Sequence, residues 1–295
     1  AQDAKKYPDF AEVVKGAKVH EGLLTLHHKD EHVYAEIKTD QFNKPFLLPI
    51  AVARGAGMGG TTLNFGDQWV IVFKKVGEKV HVIRRNTRFT AKSASPAAKA
   101  VETTYSDSIL LALPIKTVNP AKSSTIIDLN GIFFSDFAQL GLGMLDRERT
   151  TWHSVKAFKK NVELRVAATF SGGRSGRGFH GANGVIDDRG ITVVIHYGLV
   201  EMPDSGYTPR LADDRVGHFL TVLKDFSRES TDTAFVRYIN RWRLQRADGA
   251  TSWKPGDRLS PPKKAIVFWI EDTVPDEFRG AVRDGILEWN KAFEK

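Results

Sequence analysis

Residues 162–170 read Val162-Glu163-Leu164-Arg165-Val166-Ala167-Ala168-Thr169-Phe170. Val162, Leu164, Val166, Ala168 and Phe170 share one parity, and Glu163, Arg165, Ala167 and Thr169 share the other. Successive side chains of a strand leave on opposite faces, so this is a strand with one apolar face and one more polar face. The pattern returns at Ile191, Val193, Ile195, Tyr197 and Leu199, and again at Val236, Tyr238, Trp242 and Leu244, with Asn240 interrupting. Residues 69–73, Trp69 to Phe73, are apolar at both parities, as in a central strand covered on both sides. Gly77-Glu78 separates them from Val80 to Ile83 and signals a two-residue hairpin, and Lys29-Asp30-Glu31 marks another between Leu23 to His27 and Val33 to Ile37.

Helical signals are fewer. Phe10, Val13, Val14 and Ala17 predict a short helix after Pro8, and Pro96 ahead of Ala97-Ala98-Lys99-Ala100 predicts another with proline in its first turn. The clearest lies at the C-terminal end. There Phe278, Val282, Gly285, Ile286, Trp289 and Phe293 recur at helical spacing behind the acidic Pro275-Asp276-Glu277. The expected fold is α+β, mainly antiparallel β-sheet with few helices, ending in a strand–helix unit whose strand is residues 265–270. The expected organisation is an N-terminal helix and hairpin segment (1–48), a β-rich domain (49–250), a linker (251–263) and the closing strand and helix (264–295). The linker reading rests on Gly249, Pro255, Gly256, Pro261 and Pro262. A second glycine-rich stretch, 171–178, reads as an exposed loop.

Composition narrows the functional classes. The 295 residues are 41% hydrophobic and 26% charged, which is globular rather than disordered. No apolar run approaches the ~20 residues that a helix needs to span a bilayer; the longest, 109–115, is broken by Pro114. No membrane span is expected. Lys and Arg number 43 against 35 Asp and Glu, a net +8, but the basic clusters (Lys74-Lys75, Arg84-Arg85, Lys159-Lys160, Arg241-Trp242-Arg243) are small and sit in strand-like sequence. Nucleic acid is therefore not the expected partner. With no cysteine, disulfides and thiolate metal sites are excluded. The polar start, Ala1-Gln2-Asp3-Ala4-Lys5-Lys6, fits the end left by a removed signal peptide and equally a trimmed chain.

Several motifs carry chemistry in other proteins. Gly55-Ala56-Gly57-Met58-Gly59-Gly60 has dinucleotide-loop spacing, yet a helix must follow to hold the pyrophosphate, and Thr61-Thr62-Leu63-Asn64-Phe65-Gly66-Asp67 reads as turn and strand. A close passage of two backbones is the better account. His28 and His32 have the i, i+4 spacing of zinc ligands on a helix, but a hairpin separates them, and Lys29 stands where a zinc protease needs its Glu base. His81, His153, His180, His196 and His218 are scattered. Asp187-Asp188 and Asp213-Asp214 offer oxygen ligands for calcium, although paired aspartates in turns usually cap backbone amides. No catalytic, cofactor-binding or metal-ligating residue is assigned on these grounds.

Three longer stretches resemble the bacterial zinc-dependent metalloproteases of the metzincin type that carry long N-terminal regions of unknown function. They are Gly206-Tyr207-Thr208-Pro209-Arg210-Leu211-Ala212-Asp213-Asp214-Arg215-Val216-Gly217-His218-Phe219; Arg237-Tyr238-Ile239-Asn240-Arg241-Trp242-Arg243-Leu244; and Ile266-Val267-Phe268-Trp269-Ile270-Glu271-Asp272-Thr273-Val274-Pro275, continuing to Trp289-Asn290-Lys291-Ala292-Phe293. Shorter similarities fall at Glu21-Gly22-Leu23, Tyr34-Ala35-Glu36-Ile37 and Asn161-Val162-Glu163. The resemblance implies that 264–295 opens a catalytic domain whose His-Glu-x-x-His helix lies downstream, and no such motif occurs here. It therefore implies a scaffold or prodomain-like portion, inactive alone, exported to the periplasm or beyond. Its zinc would belong to the downstream catalytic half, with that half and a protein or peptide substrate as partners. It further implies that Phe268, Ile270, Trp289 and Phe293 need a covering partner, because a lone strand and helix cannot close an α/β layer. The rival expectation is a β-rich binding or assembly module of an extracytoplasmic complex without protease activity. A third expectation is polyanion binding through basic residues such as Arg174 and Arg177.

Overall fold

The computed structural model describes residues 6–55, 69–171, 187, 189–202, 206–227, 235–247, 249 and 259–294. The chain divides into two compact units, Ala1–Ser205 with Leu223–Ala234, and Gly206–Val222 with Phe235–Lys295.

The first unit is built from two antiparallel sheets. The smaller contains β1 (Lys18–His20), β2 (Thr25–Lys29), β3 (His32–Lys38), β10 (Thr117–Asn119) and β11 (Ser124–Asp128), in the spatial order β1-β2-β3-β11-β10. The larger contains β4 (Pro45–Leu48), β5 (Ile50–Arg54), β6 (Trp69–Val76), β7 (Lys79–Arg84), β9 (Ser108–Pro114), β12 (Met144–Phe158), β13 (Asn161–Ser171) and β14 (Ile191–Glu201). Its order is β12-β13-β14-β4-β6-β7-β9, with β5 also paired to β14. β8 (Phe89–Thr90) stands apart and pairs in parallel with Lys224 and Asp225 at the end of β15 (Leu220–Asp225).

The alternation in 162–170 does what its periodicity dictates. Val162, Leu164, Val166, Ala168 and Phe170 are all buried, and β13 runs in uninterrupted register against β14, from Asn161 opposite Val200 to Phe170 opposite Ile191. Their face joins that of Leu26, Val33, Ala35, Ile37 and Ile127 from the smaller sheet in one hydrophobic core. Fully burying each large side chain is worth about 1.5–3 kcal/mol, so this shared core is what holds the sheets together. Phe133 and Phe134, on and just after the short α3 (Asn130–Phe133), together with Phe137 extend the core; Phe133 lies 4.5 Å from the ring of Tyr197.

Both expected hairpins form. β2 and β3 pair around Asp30-Glu31, and β6 and β7 around Gly77-Glu78. Of the helices, α1 (Phe10–Val13) is a single turn capped by Asp9, and α2 (Pro96–Thr104) starts at Ser95, whose hydroxyl accepts the Ala98 amide at 3.0 Å. Gly55 ends β5 at φ 85, and a Cβ there would sit 2.7 Å from the Thr192 carbonyl oxygen. Close passage of two backbones is thus the role of this glycine; residues 56–68, the rest of the glycine motif, lie outside the described residues.

The second unit holds β16 (Phe235–Ile239), the helices α4 (Asp276–Leu287) and α5 (Trp289–Phe293), and irregular segments. Leu211 bridges Tyr238, and Phe219 accepts the Asn240 amide at 2.8 Å. Two details depart from expectation. Strand structure stops at Ile239 instead of running to Leu244, and residues 265–270 carry no strand pairing. A strand exists only where a neighbour accepts its ladder, so an apolar run without a partner strand stays irregular. The sheet-dominated fold class stands, with β16 as the last strand before the closing helices.

Candidate functional site: an apolar face and a buried carboxylate

All three stretches that carry the resemblance, 206–219, 237–244 and 266–293, fall in the second unit. This unit exposes several large apolar side chains to solvent. Trp269 is 90% exposed, Trp289 66%, Phe268 56% and Phe293 53%, while Ile270 is half-buried. No residue of α4 or α5 is buried, although Phe278, Val282 and Ile286 line up along α4. Between the helices and the segments around Trp242 and 259–268 opens an apolar cleft of about 900 Å³. Leu244, Ile266, Phe268, Ile286, Trp289 and Phe293 line it, and Trp242 meets Phe268 edge to face with ring centroids 6.4 Å apart. Contiguous exposed apolar surface of this kind marks a binding face.

Local polar contacts fix the frame of that face. Asp276 and Glu277 sit in the first turn of α4, where the helix dipole favours negative charge. Arg279 donates to the Glu271 carbonyl at 3.0 Å, tying the helix to the segment before it. Asp213 is engaged by Arg215 at 2.5 and 2.9 Å. The guanidinium hydrogen bond pulls the Asp213 carboxyl down to about 2. Asp187 is held in the same way by Arg189 and is likewise pulled down to about 2. Both carboxylates therefore face guanidinium groups; Asp188 lies outside the described residues.

Three histidines each meet one carboxylate. His27 Nε2 lies 3.1 Å from Glu36 Oε2, His32 Nδ1 lies 2.8 Å from Asp128 Oδ2, and His196 Nε2 lies 2.5 Å from Glu163 Oε2. His28 and His32 occupy opposite strands of their hairpin, facing Val33 and Lys29. Among the described residues, no three His, Asp or Glu side chains are grouped to hold a metal. The residues described do not fit a zinc site. His180 lies outside the described residues.

The Glu36 pair is a polar centre that the sequence did not announce. Glu36 is 2% exposed, and its Oε1 accepts hydrogen bonds from Asn119 Nδ2 at 2.9 Å and Ser124 Oγ at 2.5 Å. Lys122 Nζ approaches Oε2 at 3.9 Å. Burial pushes this carboxyl up, but the hydrogen bonds from Ser124, His27 and Asn119 and the charge of Lys122 outweigh it and hold it below its ordinary value. The N-terminal segment lies over this region. Phe10 meets His27 edge to face at 5.7 Å, Thr117 donates to the Pro8 carbonyl at 2.7 Å, and Lys29 donates to the Val13 carbonyl at 3.2 Å. With Glu36 and His27 both buried, no substrate reaches the pair in this conformation, and its work is to fasten strands and segment together. His27 Nδ1 is buried without a hydrogen-bond partner.

The described residues form a β-rich first unit and a second unit that ends in helices and exposes large apolar side chains. The chain belongs to the family described as Domain of unknown function (DUF5117), which it matches over residues 64–247, more than half its length. Residues 5–54 match a second such family, Domain of unknown function (DUF5118). The structure shows that these two stretches fold together: β3 pairs with β11, and β4 pairs with both β6 and β14. Comparisons with curated proteins and with solved structures gave no match.

Proposed function

We propose that this chain is the non-catalytic N-terminal portion, scaffold or prodomain-like, of an exported zinc-dependent metalloprotease of the metzincin type. The first unit is the self-contained scaffold. The second presents the surface on which the downstream catalytic half docks, and that half supplies every zinc ligand and the general base. The supporting observation is a coincidence of place: the three longest stretches that resemble the protease family, though not the shorter ones, lie in the second unit, where large apolar side chains face solvent. An apolar face this size is a liability in a free protein and is explained by a partner that covers it. Residues 265–270, apolar at every position and unpaired, fit a strand awaiting the rest of its sheet. Membership of two families of unknown function agrees with the N-terminal regions such proteases carry.

Two measurements test this reading. Incubated with zinc and casein, the chain alone is expected to release no peptides; robust cleavage abolished by a chelator would overturn the assignment. Intact mass of the natively expressed protein is expected to reveal a longer precursor carrying His-Glu-x-x-His. A single product ending near Lys295 would instead favour the binding or assembly module.

A further inference from the structure

The turn from β7 into β8 and the segment entering β9 enclose a second, polar cavity in the first unit, of about 310 Å³. Three guanidinium-bearing residues, Arg84, Arg85 and Arg88, line it, with Ser106 and Ser108. None of its lining residues is acidic.

The walls are built rather than incidental. The Asn86 side-chain oxygen accepts the amides of Arg88 and Phe89, both at 3.1 Å. Its amide group donates to the Phe89 carbonyl at 3.1 Å and the Tyr105 carbonyl at 3.2 Å, stitching the two walls together. Phe89 stacks on Tyr105 with ring centroids 3.9 Å apart and planes 8° from parallel, and Tyr105 stacks in turn on Phe226. The Arg84 guanidinium lies 4.3 Å from the centre of the Trp69 ring, and Arg85 Nε is 3.0 Å from Asp107 Oδ2. These contacts help fix where Arg84 and Arg85 sit before any ligand arrives. A guanidinium offers planar, paired N–H donors that match the oxygens of carboxylate or phosphate, and serine hydroxyls complete such a shell. The volume lies near the lower bound of about 300 Å³ for small-molecule sites, which suits a compact ligand.

We propose that this cavity binds a small oxyanion, phosphate or carboxylate. Arg88 and Arg84 hold the oxygens from one side, Ser106 and Ser108 donate from the other, and Tyr105 closes the floor. The site is independent of the docking face, so its fate and that of the protease reading are separable.

Calorimetric titration of the full chain with inorganic phosphate and, separately, with citrate decides the matter and distinguishes a tetrahedral from a planar oxyanion. Saturable binding of at least one ion is expected, weakened by added sodium chloride and weakened about tenfold or more in Arg88→Gln. Arg88 is exposed, so its unfolding temperature should hold. Should the Gln variant melt early, Arg88→Lys, which keeps the charge but loses the fork, is expected to weaken binding while folding normally. No saturable binding of either ion by the unmodified chain, or binding that a folded Arg88 variant leaves unchanged, overturns the proposal.

Discussion

Glu36 concentrates the residue-scale physics. Four side chains from three strands and a turn converge on one buried carboxylate, and removing it strands their donors. Replacing Glu36 by Ala is expected to cost about 1–3 kcal/mol in urea unfolding, the usual penalty for leaving buried donors unsatisfied. The pH dependence follows from the direction of its shift. A carboxyl held below its unfolded value stabilises the fold above pH 4.5 and loses that contribution as pH falls through the depressed native value. Unfolding free energy should thus fall more steeply below pH 4.5 in the unmodified protein than in Glu36→Gln. Equal slopes would show that this carboxylate is not the acid-sensitive group. Gly22 offers a second test. A Cβ there would lie 2.5 Å from the Phe158 carbonyl oxygen and 2.6 Å from its nitrogen, both backbone atoms. Gly22→Ala is expected to lose about 1–3 kcal/mol by forcing the β1–β2 connection away from the end of β12, read as a lowered thermal midpoint. The sequence displayed His27 and Glu36 but could not reveal their meeting with Asn119 and Ser124, because the convergence is made by strand pairing across 83 and 88 residues.

At the scale of elements, what was legible depended on periodicity. β13 and β14 were readable because each carries large apolar residues, all buried, at one parity, and both hairpins because their turns carry glycine or short polar runs. β12 was not, although it is the longest strand: Arg147-Glu148-Arg149 and two register shifts break its alternation. Residues 265–270 erred in the opposite direction. Their composition is that of a buried strand, but a ladder needs a neighbour, and pairing is not a property of the segment alone. The same segment yields a prediction. Trp269→Lys removes an exposed side chain, so the unfolding midpoint should stay within about 0.5 kcal/mol of the unmodified value, while association with the catalytic half should weaken markedly. A large stability loss would mean that Trp269 is already packed within this chain.

For the whole molecule, two compact units divide the labour. The first unites residues matching two families of unknown function in one sandwich with a common core, so neither stretch should fold without the other. The second contains residues 266–293 and exposes large apolar side chains there, Phe268, Trp269, Trp289 and Phe293 among them. The boundary expected at 251–263 does not mark that separation, because residues on both sides of it belong to the second unit. The participation of 206–222 in the second unit was not visible, since nothing local in that stretch names the neighbours it will find. The central claim is that the face from 265 to 293 exists to be covered by the catalytic half. Hydrogen exchange on this chain, with and without the separately expressed polypeptide that follows Lys295 in the reading frame, tests it most directly. Strong protection of amides in 265–293 on mixing is the expected result. Unchanged exchange there, or a reading frame that stops at Lys295, would contradict it.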